Sequence, residues 1–239
     1  MSQAVLFGIQ NIQGCAKLKG CYADVVHMRT FIAEQMNYDS VSVYTDSTTP
    51  DMVTGRNMLN ILWNLAIESY AKSLERVCIF FSGHGPKHED EAIMPLDYLQ
   101  HGNITNPEFN QILSAFNPST KVFCIIDSCH SGSTGSLPYT YNRRDARRPL
   151  PAIHPPKMKS NIVLFSACKF GQRTYDGLKG TGGIFTTCLI NCLTRRIKNK
   201  LRMSITAITE DLFTLIRKTS DQTPVITSSQ QILENTMWV

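Results

Sequence analysis

The chain has 239 residues, of which 42% are hydrophobic and 18% charged, with 14 Gly and 11 Pro. These values fit one folded domain and exclude a disordered tail or a fibrous repeat. The net charge is +5, but residues 1–142 carry 8 basic and 13 acidic residues, whereas 143–159 carry 6 basic residues and one acidic residue. Since no basic stripe with interleaved aromatic residues is present, the sequence does not predict nucleic-acid binding.

The N-terminal sequence favours the cytoplasm. Residues 1–8 lack the basic segment and the long apolar segment of a signal peptide. No apolar run approaches the length needed to cross a bilayer, so we expect no membrane association. In a cytoplasmic protein the eight cysteines are expected to stay reduced, which argues against a disulfide framework.

Apolar runs typical of strands alternate along the chain with segments of helical periodicity. The predicted strands are 4–9, 41–44, 77–81, 122–126, 162–165 and 224–227. The predicted helices are 21–36, 54–67 with Thr54 as its N-cap, 106–116, 183–196 and 204–218. The runs at 77–81 and 122–126 are nearly all apolar, which is typical of parallel strands covered on both faces. The alternation predicts a single α/β domain with one central sheet.

Residues 133–159 interrupt this alternation. The segment is polar and basic, is broken by four prolines between positions 149 and 156, and is too long for an ordinary connection. We expect a mobile loop, with 1–142 before its basic part (143–159) and 160–239 after it.

The two most apolar strands each end in reactive residues. The first continues into Ser82-Gly83-His84-Gly85, and the second into Asp127-Ser128-Cys129-His130-Ser131-Gly132. Ligands of an open parallel sheet gather beyond the carboxyl ends of its strands. An imidazole beside a thiol there would generate a thiolate nucleophile, so His84 and Cys129 are the candidate catalytic residues. The amides of Gly85 and Cys129 are the candidate oxyanion hole.

Other interpretations apply to the remaining cysteines. A buried cysteine usually acts as a small hydrophobic residue, and we interpret Cys78, Cys124, Cys188 and Cys192 in that way. Cys124, Cys129 and His130 could ligate zinc, but no second ligand pair with finger-like spacing follows. We therefore expect neither a metal nor a cofactor.

The two motifs together resemble the catalytic signature of the metacaspases, caspase-fold cysteine peptidases that cleave after Arg or Lys. Gly20-Cys21-Tyr22-Ala23-Asp24 resembles an early element of that family, and residues 161–176 resemble the start of its small-subunit region. The resemblance implies a caspase-like three-layer αβα sandwich with a mostly parallel central sheet. It also implies a cysteine endopeptidase whose partners are protein or peptide substrates with Arg or Lys at the cleavage site.

By the same resemblance, four positions line the pocket for the residue before the cleaved bond: Cys21, Asp24, Ser82 and Asp127. Two carboxylates in a slot would favour a guanidinium or an ammonium and repel an aspartate. The alternatives are that Asp24 only benefits from the dipole of the helix that it begins, or that Asp127 only anchors the loop after its strand.

An enzyme of this specificity would carry possible cleavage sites in its own basic loop. The candidates for self-cleavage are Arg143, Arg144, Arg147, Arg148, Lys157 and Lys159, and the alternative is a solvated basic loop without this role.

Most metacaspases need calcium, and this sequence departs from them in the acidic positions that bind it. Only Glu89-Asp90-Glu91 follow the histidine motif, Asn106-Pro107 replace an Asp pair, and Ser136 replaces a later Asp. The sequence therefore predicts activity without calcium. Family resemblance also favours a monomer. Two rival hypotheses remain: an inactive caspase-fold interaction module, and an Asp-specific peptidase of the caspase type.

Overall fold

The computed structural model describes residues 1–86, 88, 90–129, 131–141, 150–151, 158–169, 171–172 and 181–232. The strands in these ranges are β1 (Ser2–Gly8), β2 (Ser40–Thr45), β3 (Arg76–Ser82), β4 (Glu91–Ile93), β5 (Ile104–Thr105), β6 (Lys121–Asp127), β7 (Tyr139–Tyr141), β8 (Leu150–Pro151), β9 (Asn161–Ser166) and β10 (Val225–Ser228). The helices are α1 (Cys21–Glu34), α2 (Gly55–Ala71), α3 (Tyr98–His101), α4 (Asn106–Ser114), α5 (Ile184–Lys198) and α6 (Ile205–Ile216). All the strands and helices expected from hydrophobic periodicity are present, with ends that differ by a few residues.

One eight-stranded sheet forms the centre of the molecule, in the order β2-β1-β3-β6-β9-β10-β7-β8. The five strands from β2 to β9 run parallel to one another. The strand β10 is antiparallel to both β9 and β7, and β8 is antiparallel to β7. This topology confirms the expected central, mostly parallel sheet.

Apolar side chains fill both faces of the sheet, because successive residues of a strand point to opposite sides. In β3, Cys78 and Phe80 face a core built with α1, α5 and α6. Val77, Ile79 and Phe81 face a second core built with α2 and α4. Helices thus cover both faces, which confirms the three-layer αβα sandwich and explains why the central strands are apolar throughout.

The start of α2 differs from the sequence prediction. Thr54 occupies the N-cap position, but its hydroxyl donates to the carbonyl of Asp51 at 2.8 Å instead of accepting a bond from the helix. A 3-10 turn (Pro50–Val53) precedes the helix and leaves that carbonyl within reach. The carboxylate of Asp97 accepts from the amide of Gly55 at 2.8 Å and so caps the helix from a distant part of the chain.

We expected residues 133–159 to form one loop, but the described part of this segment contains turns and two short strands. Short 3-10 turns lie within Ser131–Ser136, with a kink at Thr134 and Gly135. The strands β7 and β8 pair with each other, and β7 also pairs with β10. The strands were missed because two or three residues carry no usable periodicity, and only pairing with β10 makes them strands. Four candidate cleavage sites, Arg143, Arg144, Arg147 and Arg148, lie outside the described residues, as does Lys157, whereas Lys159 is exposed.

In the part of the chain that the structure describes, none of the helices combines the length and the apolar character needed to cross a membrane.

Candidate active site

The neighbouring strands β3 and β6 bring the two reactive motifs together. Ser82 at the end of β3 pairs with Asp127 at the end of β6, and the amide of Gly83 donates to the carbonyl of Asp127 at 3.2 Å. His84 and Cys129 therefore each lie two residues beyond a paired position, at the same edge of the sheet. Both are partly exposed, so a substrate can reach this edge.

Gly85 lies directly against the backbone of Cys129. A Cβ atom on Gly85 would lie 1.6 Å from the carbonyl oxygen of Cys129 and 2.9 Å from its amide nitrogen. No side chain fits in this space, which explains why glycine follows the histidine. The contact also places the two candidate oxyanion-hole residues next to each other.

The imidazole of His84 is oriented by a main-chain carbonyl that the sequence analysis did not identify. Its Nε2 atom lies 2.7 Å from the carbonyl oxygen of Ala16, in the connection between β1 and α1. A carbonyl only accepts hydrogen bonds, so Nε2 carries the hydrogen, and in the neutral ring Nδ1 is the basic nitrogen. Every residue has a carbonyl, and only the fold selects the one at Ala16.

A polar cluster holds the start of the connection that carries Ala16. The carboxylate of Asp46 accepts from the amides of Gln10 at 2.8 Å and Asn11 at 3.1 Å, and from the hydroxyl of Tyr22 at 2.8 Å. Burial and the hydrogen bond to Asp46 raise the pKa of Tyr22 to about 12, so its hydroxyl stays a donor at neutral pH. Asp46 and Tyr22 thus hold residues 10 and 11 at the start of that connection.

The four positions proposed for the specificity pocket are buried at the same edge of the sheet: Cys21, Asp24, Ser82 and Asp127. The hydroxyl of Ser82 donates to Asp24 Oδ2 at 2.8 Å. Asp24 lies in the first turn of α1, where the helix dipole also favours a carboxylate. The structure therefore brings Asp24, Ser82 and Asp127 into one polar cluster, with Cys21 one turn before Asp24.

The beginning of α5 closes this cluster. The amide of Gly183 donates to Asp24 Oδ1 at 2.6 Å. The hydroxyl of Thr186 donates to Asp127 Oδ2 at 2.7 Å, and the amide of Thr186 donates to the same atom at 3.2 Å. Sequence analysis missed both residues, because Gly183 and Thr186 lie far along the chain from the carboxylates that they contact.

Four other cysteines are packed in the core, as expected: Cys78, Cys124, Cys188 and Cys192. Burial raises the pKa of Cys78 and of Cys192 to about 12, which keeps both thiols protonated and unreactive. Cys129 differs from them in its partial exposure.

Asn106, one of the positions that the family resemblance associates with calcium, makes a protein contact here, as does the nearby Asn110. The Asn106 side-chain oxygen accepts from the amide of Gly135 at 2.8 Å, and the Asn110 side chain donates to the carbonyl of Gly135 at 2.8 Å. Calcium prefers several carboxylate oxygens, and Asn106 offers a neutral oxygen that is already hydrogen-bonded. The described residues contain no group of three or more His, Cys, Asp or Glu side chains suited to a metal. These residues do not fit a calcium ion.

Comparison with known proteins gives consistent matches. Residues 2–138 match the family model of the metacaspase, peptidase C14 domain. Metacaspase-1 of Kluyveromyces lactis is 31% identical over 205 residues, which cover 77% of this chain and 45% of that protein. The chain spans less than half the length of the first curated relatives that it matches.

Solved structures share the fold. A protein from Geobacter sulfurreducens matches with a TM-score of 0.67 and 20% identity, covering 99% of this chain and 97% of that chain. Caspase-1 from Spodoptera frugiperda matches with a TM-score of 0.62 and 12% identity, covering 99% of this chain and 90% of that chain. At these identities the likeness establishes a caspase-like fold and no more. Taken with the family match over residues 2–138, it leads to one conclusion: this chain belongs to the metacaspases, a family of cysteine peptidases.

Proposed function

We propose that this domain is an endopeptidase that cleaves peptide bonds after Arg or Lys, with Cys129 as nucleophile and His84 as proton shuttle. The proposal rests on the positions of His84 and Cys129. Each lies two residues beyond one of the paired residues Ser82 and Asp127, and Gly85 packs against Cys129. Family membership supports the reaction type.

In the acylation step, His84 takes the proton of the Cys129 thiol, and the sulfur attacks the carbonyl carbon of the substrate. The amides of Gly85 and Cys129 donate to the oxyanion that forms. As the C–N bond breaks, the protonated imidazole gives its proton to the leaving amine, which departs as the new N-terminus. The hydrogen bond from Nε2 to Ala16 leaves Nδ1 for both proton transfers.

In the deacylation step, water attacks the thioester that links the acyl group to Cys129. His84 accepts a proton from this water, and the same two amides hold the second oxyanion. The C–S bond then breaks, the carboxylic acid leaves, and the proton returns to the sulfur. The cycle ends with both residues in their starting states and requires no cofactor.

Substrate preference follows from the two carboxylates of the polar cluster. Asp24 and Asp127 would attract a guanidinium or an ammonium and would repel the aspartate that caspases accept. The test is the turnover of matched fluorogenic peptides that end in Arg, Lys or Asp, with Cys129→Ala as the control enzyme. Turnover of the Asp peptide alone would favour the Asp-specific rival, and turnover of none would favour an inactive interaction module.

The described strands on either side of the basic loop bear on the candidate self-cleavage sites. Across the sheet, Tyr141 of β7 pairs with Ile226 of β10, which pairs with Phe165 of β9, which in turn pairs with Ile125 of β6. The end of β7 therefore lies at the same position along the strands as Ile125, and β7 runs parallel to β6. The chain therefore leaves β7 at the edge where Cys129 lies, three strand spacings away, or about 14 Å. Lys159 precedes β9, whose first residue pairs with the start of β6. It thus lies at the opposite edge, roughly 20 Å away along the strands.

We propose that self-cleavage within one molecule uses Arg143, Arg144, Arg147 or Arg148, and that Lys159 is cut only by another molecule. Intact-mass spectrometry of the active enzyme is expected to give fragments that end at these arginines, at a rate independent of enzyme concentration. Replacing the four arginines with glutamine should remove the fragments, whereas Lys159→Gln should not. A concentration-independent cut after Lys159, or no fragment that depends on Cys129, would contradict the proposal.

We also propose that activity is independent of calcium. Hydrogen bonds that Gly135 donates to the Asn106 side chain and accepts from the Asn110 side chain already hold the turn that follows Cys129, so no ion is needed to order it. Hydrolysis of an Arg peptide is expected to change less than about twofold between excess calcium and excess EGTA. Loss of turnover on chelation, restored by added calcium, would refute this.

We propose a monomer located in the cytoplasm. The strand β10 is paired on both sides, and among the described strands the last one on that side of the sheet is β8, which has two residues. Short edge strands are a common way for proteins to avoid pairing with a second sheet. The location remains a prediction from the sequence.

A further inference from the structure

Two carboxylates of like charge are buried close together at the base of the proposed specificity pocket. Asp24 is 2% exposed and Asp127 is 5% exposed, and both lie against Gly183. Buried like charges raise each other's pKa, so that one carboxylate tends to take up a proton. A protonated pair would attract Arg and Lys side chains less, so hydrogen-bond donors that favour the ionised form bear directly on the proposed specificity.

The first turn of α5 supplies hydrogen-bond donors to both carboxylates. Gly183 N–H donates to Asp24, and the N–H and the hydroxyl of Thr186 both donate to Asp127 Oδ2. Hydrogen bonds to the ionised form of a carboxyl group stabilise that form. The positive end of the α5 dipole, from a helix of 15 residues, acts in the same direction.

Two glycines allow the helix to approach this closely. A Cβ atom on Gly182, where φ is +106°, would lie 2.7 Å from Asp24 Oδ1. A Cβ atom on Gly183 would lie 2.5 Å from Asp127 Oδ2 and 3.2 Å from Asp24 Oδ2. Any other residue at either position would push the carboxylates away from the amide donors. The Gly182-Gly183 pair and Thr186 therefore form one structural unit.

Resting on the proposed Arg/Lys specificity, we infer that Thr186 is a positioning residue that keeps Asp127 ionised and oriented toward a basic substrate side chain. The carboxylates belong to the part of the chain before the basic loop (143–159), and Thr186 belongs to the part after it. The specificity pocket is thus completed only when both parts of the domain are packed together.

The test compares Thr186→Ser with Thr186→Ala, which differ by a single hydroxyl oxygen. For each variant, kcat/KM is measured for an Arg peptide and for the same peptide with citrulline, a neutral analogue of Arg. The Ser variant is expected to keep the wild-type Arg-to-citrulline ratio. The Ala variant should lower it roughly tenfold, as loss of a hydrogen bond to a charged group predicts.

The pH dependence gives a second readout that a purely structural role would not change. Removing a donor to the ionised carboxylate favours its protonated form. The acid limb of kcat/KM for the Arg peptide should therefore move to higher pH in the Ala variant, whereas citrulline turnover keeps its profile. Several other titratable residues lie on or next to the elements that surround these carboxylates. They are Cys21, Tyr22, His27, Arg29 and Glu34 on α1, Arg76, Cys78 and His84 on or after β3, Lys121, Cys124 and Cys129 on or after β6, and Cys188, Cys192, Arg195, Arg196 and Lys198 on α5. They are identical in the two variants, so the comparison cancels their contributions.

Matched controls separate the possible outcomes. Thr187→Ala changes an exposed neighbour and should leave the ratio unchanged. The rate at which iodoacetamide inactivates the enzyme reports on Cys129 and should be the same in all variants. If the Ala variant does not fold, Thr186→Val makes the same comparison with the side-chain shape preserved. If the Ser variant and the variant without the hydroxyl give equal Arg-to-citrulline ratios, the inference about Thr186 is overturned and the proposed specificity stands. If the wild-type enzyme does not distinguish the Arg peptide from the citrulline peptide, the proposed specificity is overturned as well.

Discussion

Replacing Cys129 with alanine is expected to lower kcat/KM for Arg and Lys peptides by at least about 1,000-fold, because the variant lacks the proposed nucleophilic thiol that forms the thioester. Binding and oxyanion donors would remain, so the folded variant should still bind substrate. The measurement is turnover of fluorogenic peptides, with thermal unfolding as a check that the fold is intact. Self-cleavage fragments should disappear in the same variant.

The matched control for this change is Cys188→Ala. Cys188 is a buried cysteine on α5, and burial raises its pKa, so it takes no part in the proposed chemistry. Its replacement should leave kcat/KM within about twofold of wild type, since a remote side-chain truncation affects packing and not the reacting groups. Undiminished turnover by Cys129→Ala would exclude Cys129 as the nucleophile.

Replacing Asp24 or Asp127 with asparagine is expected to lower kcat/KM for Arg and Lys peptides by roughly 100-fold, as removal of one partner from a buried charge pair predicts. Asparagine keeps the size of the side chain, removes the charge and replaces one acceptor oxygen with an NH2 group. Because the reacting groups are unchanged, iodoacetamide should inactivate both variants at the wild-type rate. Peptides with citrulline in place of Arg should lose much less activity.

An exposed carboxylate provides the control for these two variants. Asp51 lies at the surface in the 3-10 turn before α2, and Asp51→Asn should leave Arg-peptide turnover unchanged. If Asp24→Asn and Asp127→Asn keep full activity on Arg peptides, the carboxylates have another role. They would then serve only to hold the start of α5 against the sheet, through Gly183 and Thr186.

Much of the architecture could be predicted from local patterns. Parallel strands covered on both faces must be apolar throughout, so β3 and β6 were recognisable from composition alone. The reactive motifs follow these strands directly, and the chain itself places His84 after β3 and Cys129 after β6. Helical periodicity in the same way located α1, α2, α4, α5 and α6. These features depend on residues that are close in the sequence.

By itself, the amino-acid sequence predicted an α/β fold with one central sheet and the candidate pair His84 and Cys129, and family resemblance added the three-layer arrangement and the two carboxylates. Tertiary structure alone decided which distant groups contact these residues: the carbonyl of Ala16 contacts His84, and Thr186 contacts Asp127. It also placed Asp97 at the start of α2. It also turned part of the expected loop into β7 and β8. Main-chain amides and carbonyls are common to nearly every residue, and a two-residue strand has no pattern of its own. Only the packing of the folded chain decides which of these main-chain groups contact the site and which short segments pair as strands.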